Sequence, residues 1–292
     1  MKKFSLALAM LLFSCASCAQ NDVTISPDVR DILQSYASPN PDIQSAYSLR
    51  IKECMNKKGY AYNPVEYSSG SRSVAISING DAILANKNSA MYGYNRTYSY
   101  NENSGYNDPG YNIALNGDTS DQEKSVTYKL QSGAIVGIVS DSCVSYATEQ
   151  VYGSIDNGLK YTNLTNELLD VGSTSGANQE IGILYQSNKE YPQCMNQAGY
   201  PDVKTFGDAP KVAEQKFGHY RAPGTQANAE ERAMAQADYT CQESSGIVRK
   251  AEDIFYSKAA QWLKDHEALI MEIRDIEKAA KERAVQIVDG RR

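Results

Sequence analysis

Cysteines are the residues of this chain whose type and spacing point most clearly to a chemical role. The sequence contains six of them, and those beyond residue 19 are Cys54, Cys143, Cys194 and Cys241. An even set suits disulfide bonds in an oxidising compartment, whereas zinc sites use closely spaced pairs such as Cys-x2-Cys, which this chain lacks. We therefore expect these cysteines to form disulfides and to bind no metal.

Other reactive residue types occur without the spacing that catalysis needs. His266 precedes Glu267 but has no second histidine at the spacing of a zincin helix. Residues 172–176, Gly-Ser-Thr-Ser-Gly, place threonine where a hydrolase elbow needs serine. Asp238 and Glu243 could form an acid/base pair in a cleft, but carboxylates on a helix face are usually solvated. The sequence thus predicts no catalytic residue, no metal and no cofactor.

The N-terminus has the order of a secretory signal peptide. Lys2 and Lys3 are followed by an apolar run over residues 4–13 and then by small residues that end at Ala19. The apolar run is too short to span a bilayer. We therefore assign residues 1–19 to a signal peptide and expect export to the periplasm or the extracellular space.

A lipoprotein is the alternative processing product. Residues 12–15, Leu-Phe-Ser-Cys, resemble a lipoprotein box, although the bulky Phe13 stands where a small or β-branched residue is expected. Lipidation of Cys15 would anchor the chain to a membrane and leave Cys18 as an odd thiol. Cleavage after Ala19 leaves an even number of cysteines, so cysteine parity favours the soluble exported form.

The net charge limits the classes of partner that this protein is expected to bind. The formal charge is −6 at pH 7, and loss of Lys2 and Lys3 with the leader makes it more negative still. This acidic balance argues against nucleic acid or an anionic membrane surface as the main partner. Membrane contact would then come only through a lipid on Cys15.

A short motif occurs twice in the chain. Residues 54–60, Cys-Met-Asn-Lys-Lys-Gly-Tyr, recur at 194–200 as Cys-Met-Asn-Gln-Ala-Gly-Tyr, with five of seven positions identical. Each copy closes a helical pattern and places glycine where a left-handed cap would end the helix. Four cysteines allow three connectivities, but a duplicated unit with one bridge each predicts Cys54–Cys143 and Cys194–Cys241.

The hydrophobic pattern predicts a mainly α protein. Helical spacing covers residues 41–58, from about 123 through 152, 159–171, 178–198 and 230–245, and an apolar stripe from Ile247 predicts a C-terminal helix of about 40 residues. Residues 74–78 alternate like a short strand, and most of residues 60–111 and 201–227 are predicted to be loops.

These elements suggest two related units. We expect a linker over residues 20–40, a first Cys-paired helical unit with a Tyr-rich loop over residues 41–171, and a second Cys-paired unit with the long C-terminal helix over residues 172–292. The fold class is therefore a helical protein with a duplicated, disulfide-linked helix-loop-helix unit.

The Tyr-rich loop is the candidate binding site. Its centre alternates small polar residues with Tyr92, Tyr94, Tyr98 and Tyr100. Tyrosines in such a setting make rigid, amphipathic contacts with proteins or sugars. The alternative is that these tyrosines cover the helical core, since a buried tyrosine ring can still hydrogen-bond through its hydroxyl.

The order of these motifs resembles a family of uncharacterised exported proteins that is frequent in actinobacteria. The shared features are the two Cys-Met-x3-Gly-Tyr turns, the Tyr-Gly-Tyr segment at residues 92–94, the Cys-x3-Ala helix at 143–147, the Ala-x-Ala-Asp-x2-Cys helix at 235–241 and a long C-terminal helix. The resemblance covers residues 49–288. It implies the helical fold and the disulfide pairing, and it implies no activity.

Together these features predict an exported, non-catalytic protein of the envelope or extracellular space. Its expected partner is a protein or a cell-wall glycan, with the Tyr-rich loop or the C-terminal helix as the contact surface. The alternatives are an envelope enzyme that acts on glycan or peptide, and a secreted inhibitor or immunity protein.

Overall fold

A computed structural model describes residues 25–38, 40–63, 74–77, 89–94, 108–120, 122–218 and 225–290. The first half contains α1 (Pro27–Tyr36), α2 (Pro41–Lys57), α3 (Val74–Ser77), α4 (Ser89–Tyr92), α5 (Pro109–Asn116), a 3-10 turn (Gln122–Lys124), β1 (Ser125–Lys129), β2 (Ile135–Val139) and α6 (Cys143–Tyr152). The second half contains α7 (Ile155–Thr174), α8 (Ala177–Ser187), α9 (Glu190–Gln197), α10 (Asp208–Phe217), α11 (Ala229–Ser245), α12 (Ile247–Lys258), α13 (Ala260–Asp265) and α14 (Glu267–Val288). The prediction of a mainly α protein is confirmed.

Local side chains start several of these helices. Asn40 precedes a proline at the first position of α2, and its Oδ1 accepts hydrogen bonds from the backbone N–H groups of Asp42 at 2.9 Å and Ile43 at 3.1 Å. At the start of α6, the Ser142 hydroxyl oxygen accepts from the Ser145 N–H at 2.9 Å. Such caps satisfy N–H groups that have no partner inside the helix.

The two copies of the repeated motif end their helices with the same hydrogen bonds. The N–H of Tyr60 donates to the Met55 carbonyl and that of Tyr200 to the Met195 carbonyl, both at 2.9 Å. The glycine before each tyrosine has a positive φ, 85° for Gly59 and 95° for Gly199. This is the Schellman arrangement, in which only glycine adopts the left-handed position without strain.

Both predicted disulfides are confirmed. Cys54 of α2 is bonded to Cys143 at the start of α6, with 5.4 Å between their Cα atoms. Cys194 of α9 is bonded to Cys241 of α11, with a Cα separation of 5.6 Å. Each bridge therefore joins a helix that ends in a Cys-Met-x3-Gly-Tyr turn to a later helix.

One hydrophobic cluster extends through both halves of the chain. It includes buried residues of α1, α2 and α6 from the first half and of α7 to α14 from the second. A smaller cluster surrounds the first disulfide and contains Ile51, Met55, Tyr111, Ala114, Cys143 and Ala147. The expected boundary between the units at residues 171 and 172 lies inside α7, and the expected linker over residues 20–40 contains α1.

Two predictions of local structure were wrong. Residues 74–77 form a helical turn with Val74 and Ala75 both buried, because a segment this short cannot distinguish the helical period from the strand period. The helix expected from residue 123 is an antiparallel hairpin of β1 and β2, with Val126 opposite Ile138 and Tyr128 opposite Val136. These half-buried residues share the hairpin face that packs against α7.

Three further segments differ from the prediction. The helix expected over residues 178–198 is two helices, because the Asn188 side chain accepts from the Tyr191 N–H at 2.9 Å and starts α9 anew. The predicted loop over residues 201–227 contains α10, and residues 172–174 belong to α7. The long C-terminal helix is confirmed as α12, α13 and α14, since helical hydrogen bonds continue across Ala259 and His266.

Within the described ranges, no helix is both long enough and apolar enough to cross a membrane.

Replacing Gly199 with alanine should destabilise the protein, because alanine is strained in the left-handed conformation of this cap. Its added Cβ would meet no atom within 4 Å, so we expect backbone strain alone to lower the free energy of unfolding by about 1–2 kcal/mol. Gly182 inside α8 is the control, because its added Cβ also meets nothing within 4 Å and its φ is not positive. Gly182→Ala should raise the free energy of unfolding by about 0.5–1 kcal/mol. Urea unfolding measures both changes, and shifts of the same sign would contradict this account.

Candidate functional site

The candidate site is a buried carboxylate where three segments meet. Helix α11 packs against both α4 and α9, and Asp238 of α11 is 0% exposed. Gln242 lies one helical turn after Asp238, on the same face of α11. Tyr191 lies in the first turn of α9, and Tyr94 follows α4 by two residues. A contact between Tyr94 and Asp238 thus connects the Tyr-rich segment to the second half of the chain.

Three donors satisfy the carboxylate of Asp238. The Tyr94 hydroxyl donates to Oδ2 at 3.0 Å. The Tyr191 hydroxyl donates to Oδ1 at 2.6 Å, and Gln242 Nε2 donates to the same oxygen at 2.9 Å. All four side chains are buried. Because an unpaired carboxylate in an apolar interior is costly, these donors are a condition for burying Asp238.

Burial sets the protonation of this cluster. It raises the pKa of Asp238, while the hydrogen bonds from Gln242, Tyr191 and Tyr94 act in the opposite direction. Burial and the neighbouring Asp238 raise the pKa of Tyr94 and of Tyr191 well above that of a free tyrosine. Both hydroxyls therefore keep their protons and remain donors.

Gly93 permits the close approach of the Tyr94 segment to α11. Its φ is 69°, and a Cβ at this position would lie 2.6 Å from the Cβ of Ala227 and 3.1 Å from Oε1 of Glu231. A larger residue would collide with the chain that enters α11. The site therefore requires glycine at position 93, directly before Tyr94.

The second disulfide lies one helical turn from the cluster. Tyr191 precedes Cys194 by three residues, and Asp238 precedes Cys241 by three residues. Hence the covalent bridge and the Tyr191–Asp238 hydrogen bond join the same two helices at adjacent turns. The corresponding positions of the first disulfide hold Ile51 and Ser140, which cannot form such a pair.

Of the four tyrosines of the predicted binding loop, Tyr94 has its side chain within the described residues. Tyr94 is a core residue, since its ring is fully buried and its hydroxyl is bound to Asp238. The backbone of Tyr92 closes α4, but its side chain lies outside the described residues, as do Tyr98, Tyr100 and Cys15. Tyr94 therefore anchors this segment and does not present its ring at the surface.

The interpretation of Asp238 as a solvated acid was wrong. Sequence reasoning also missed Tyr191 and Gln242 as its partners. A signal was present, because Asp238 lies on a helical stripe with Met234, Cys241 and Ser245, all of them buried. A carboxylate on an apolar stripe indicates a buried acid with dedicated donors.

A second buried carboxylate fixes the hairpin. Glu167 of α7 is 1% exposed, and both its oxygens lie 3.2 Å from the backbone N of Gln131 in the hairpin turn. The Gln131 side chain in turn accepts from Trp262 Nε1 at 2.6 Å, and the Trp262 ring stacks on His266. Burial raises the pKa of Glu167. This cluster ties the hairpin to α7 and α13.

Among the residues that the structure describes, no group of three or more His, Cys, Asp and Glu side chains could hold a metal ion.

No protein-family model, curated protein or solved structure matches this chain.

Removing the Tyr94 hydroxyl should destabilise the protein, because Oδ2 of Asp238 accepts from Tyr94 alone among the described residues. We expect Tyr94→Phe to lower the free energy of unfolding by about 1–3 kcal/mol. The control is Tyr239→Phe, next to Asp238 on α11, where no hydrogen bond of the hydroxyl occurs within the described ranges. It should change stability by less than about 0.5 kcal/mol. Urea unfolding of both variants decides, and equal effects would contradict the role of the hydrogen bond.

The raised pKa of Asp238 predicts a pH dependence with a definite sign. The folded protein holds this proton more tightly than the unfolded chain, so the contribution of Asp238 to stability is largest below its ordinary pKa and falls as pH rises through the raised value. The free energy of unfolding of wild type minus that of Asp238→Asn should therefore decrease upward from about pH 4. Urea unfolding between about pH 4 and pH 8 measures this difference.

The control for this pH series is Asp141→Asn. A hydrogen bond from Lys124 lowers the pKa of Asp141, so its contribution becomes complete just above its ordinary pKa and does not fall over the same range. A wild-type-minus-variant difference for Asp238→Asn that is flat or rises with pH would show that Asp238 is ionised as readily in the folded protein as in the unfolded chain.

Proposed function

We propose that this chain is an exported, non-catalytic protein that binds a partner protein through the surface at α4. The observation that carries the proposal is the pairing of an anchored Tyr94 with an exposed Met91 three residues earlier. Met91 is 67% exposed, and Tyr94 is held in the core by Asp238. An exposed, flexible thioether on a backbone fixed from beneath suits protein recognition.

Export is supported by two independent features. The leader at residues 1–19 has the regions of a secretory signal, and the two disulfides are consistent with an oxidising compartment. The motif order supports membership of the exported family that the sequence resembles.

An envelope enzyme is less well supported by the geometry. Such an enzyme needs a carboxyl group of raised pKa that a substrate can reach. Burial raises the pKa of Asp238 and of Glu167, but both side chains are buried and accept hydrogen bonds from protein donors. Their arrangement fits the joining of segments better than acid/base chemistry.

The C-terminal helix offers a second exposed apolar surface. Val285 and Val288 of α14 are 46% and 43% exposed. We favour the α4 surface because the Tyr94–Asp238 hydrogen bond anchors it to the core, and we use α14 as a competing site in the test.

Site-specific photo-crosslinking tests the proposal in the cells that produce the protein. A photoreactive amino acid replaces Met91 in one variant, Ile183 of α8 in a control that is 58% exposed, and Val285 in a third. We expect a covalent protein adduct at position 91 and none at position 183, because only the α4 surface is proposed to contact the partner. A captured enzyme would identify the inhibitor version of this function.

Adducts at position 285 without any at position 91 would place the partner on α14 and overturn the α4 surface. If no position captures a protein, co-sedimentation with purified cell-wall glycan follows. Glycan binding that Met91→Glu abolishes would keep the surface and change the partner class. Glycan binding that is unchanged in this variant would overturn the proposal.

A further inference from the structure

The two disulfides differ in what they support. The first joins α6 to α2, which has 17 residues and also packs against α14. The second joins α11 to α9, which has only 8 residues. A helix shorter than about 12 residues is marginal without tertiary support. Helix α9 buries two residues, Tyr191 and Met195, whereas α2 buries five, so the position of α9 depends more strongly on its bridge.

The second disulfide also holds the partner of Asp238 in place. Tyr191 lies one turn from Cys194 on α9, and its hydroxyl donates the shortest of the three hydrogen bonds to Asp238, at 2.6 Å. If α9 moves, Asp238 keeps Gln242 on its own helix and Tyr94. A buried carboxylate with an incomplete donor set attracts water, so the slot that holds Tyr94 would open.

We propose that the Cys194–Cys241 disulfide is a redox-controlled clamp on residues 89–94, and that its reduction by a dithiol releases Tyr94 from the core. The inference rests on the proposed function for its purpose, because release of this segment would dismantle the surface that carries Met91. It adds a means of regulation to that surface. The first disulfide lacks the carboxylate and the tyrosine at the equivalent positions and is not expected to act in this way.

Reduction follows thiol–disulfide exchange with an external dithiol as the two-electron donor. One thiolate of the donor attacks the sulfur of Cys194, which is partly exposed, whereas Cys241 is buried. The bond between the two cysteines breaks, Cys241 leaves as a thiolate and takes up a proton, and a mixed disulfide forms on Cys194. The second thiol of the donor then displaces Cys194, so the chain gains two thiols and the donor becomes a disulfide.

Hydrogen exchange followed by mass spectrometry tests the clamp on the full mature chain. One variant replaces Cys194 and Cys241 by serine, and the matched control replaces Cys54 and Cys143 by serine. We expect exchange in peptides that cover residues 89–94 to accelerate by at least about tenfold in the first variant and by less than about threefold in the control. Circular dichroism shows that each variant remains helical.

Equal acceleration in both variants, or none in the Cys194/Cys241 variant while it stays folded, would overturn the clamp. If that variant does not fold, wild-type protein is partly reduced with dithiothreitol, alkylated and mapped. Molecules that have lost only the Cys194–Cys241 bridge must then show the faster exchange at residues 89–94. The measurement needs no partner, so its outcome is independent of the crosslinking result at position 91.

Discussion

Burial of the Asp238 carboxylate is the constraint that joins the Tyr94 segment to α9 and α11. The interior of a helical protein accepts a carboxylate only when donors meet its oxygens, and here those donors come from α9, α11 and the segment after α4. The requirement brings together Tyr94 and Asp238, which are 144 residues apart in the chain. It thereby attaches a long connection of the first half to the helices of the second.

Buried carboxylates also join distant segments at two other places. Glu167 of α7 holds the turn of the β-hairpin through the Gln131 backbone. Glu277 of α14 is buried, lies 3.4 Å from the Ser35 hydroxyl of α1, and pairs with Lys281 at 2.7 Å. Nearby, the Tyr36 hydroxyl donates to the Tyr161 carbonyl at 2.8 Å, and burial raises the pKa of Tyr36 to about 12. Buried acids thus specify which segments meet, while apolar contacts provide most of the cohesion.

The disulfides and the polar clusters hold segments of the chain together in different ways. Each bridge fixes the separation of two helices, and it limits the conformations of the unfolded chain. At the second bridge, the buried Asp238 cluster extends this constraint to the segment that carries Tyr94. That difference between the two bridges is the basis of the clamp proposed for residues 89–94.

Local patterns in the sequence determined the helices, the two glycine-capped turns and, through the repeat, the pairing of the cysteines. The helices and turns follow from the local sequence because caps, glycine turns and helical periodicity act within a few residues. The hairpin at residues 125–139, the short helix at Val74 and the burial of Asp238 and Tyr94 were decided by tertiary structure. Each depends on contact with a distant element, namely α7 for the hairpin, α12 for Val74 and α9 for Asp238. A short stretch of sequence does not reveal how strongly such a contact stabilises it, because the contact forms only when distant segments pack together.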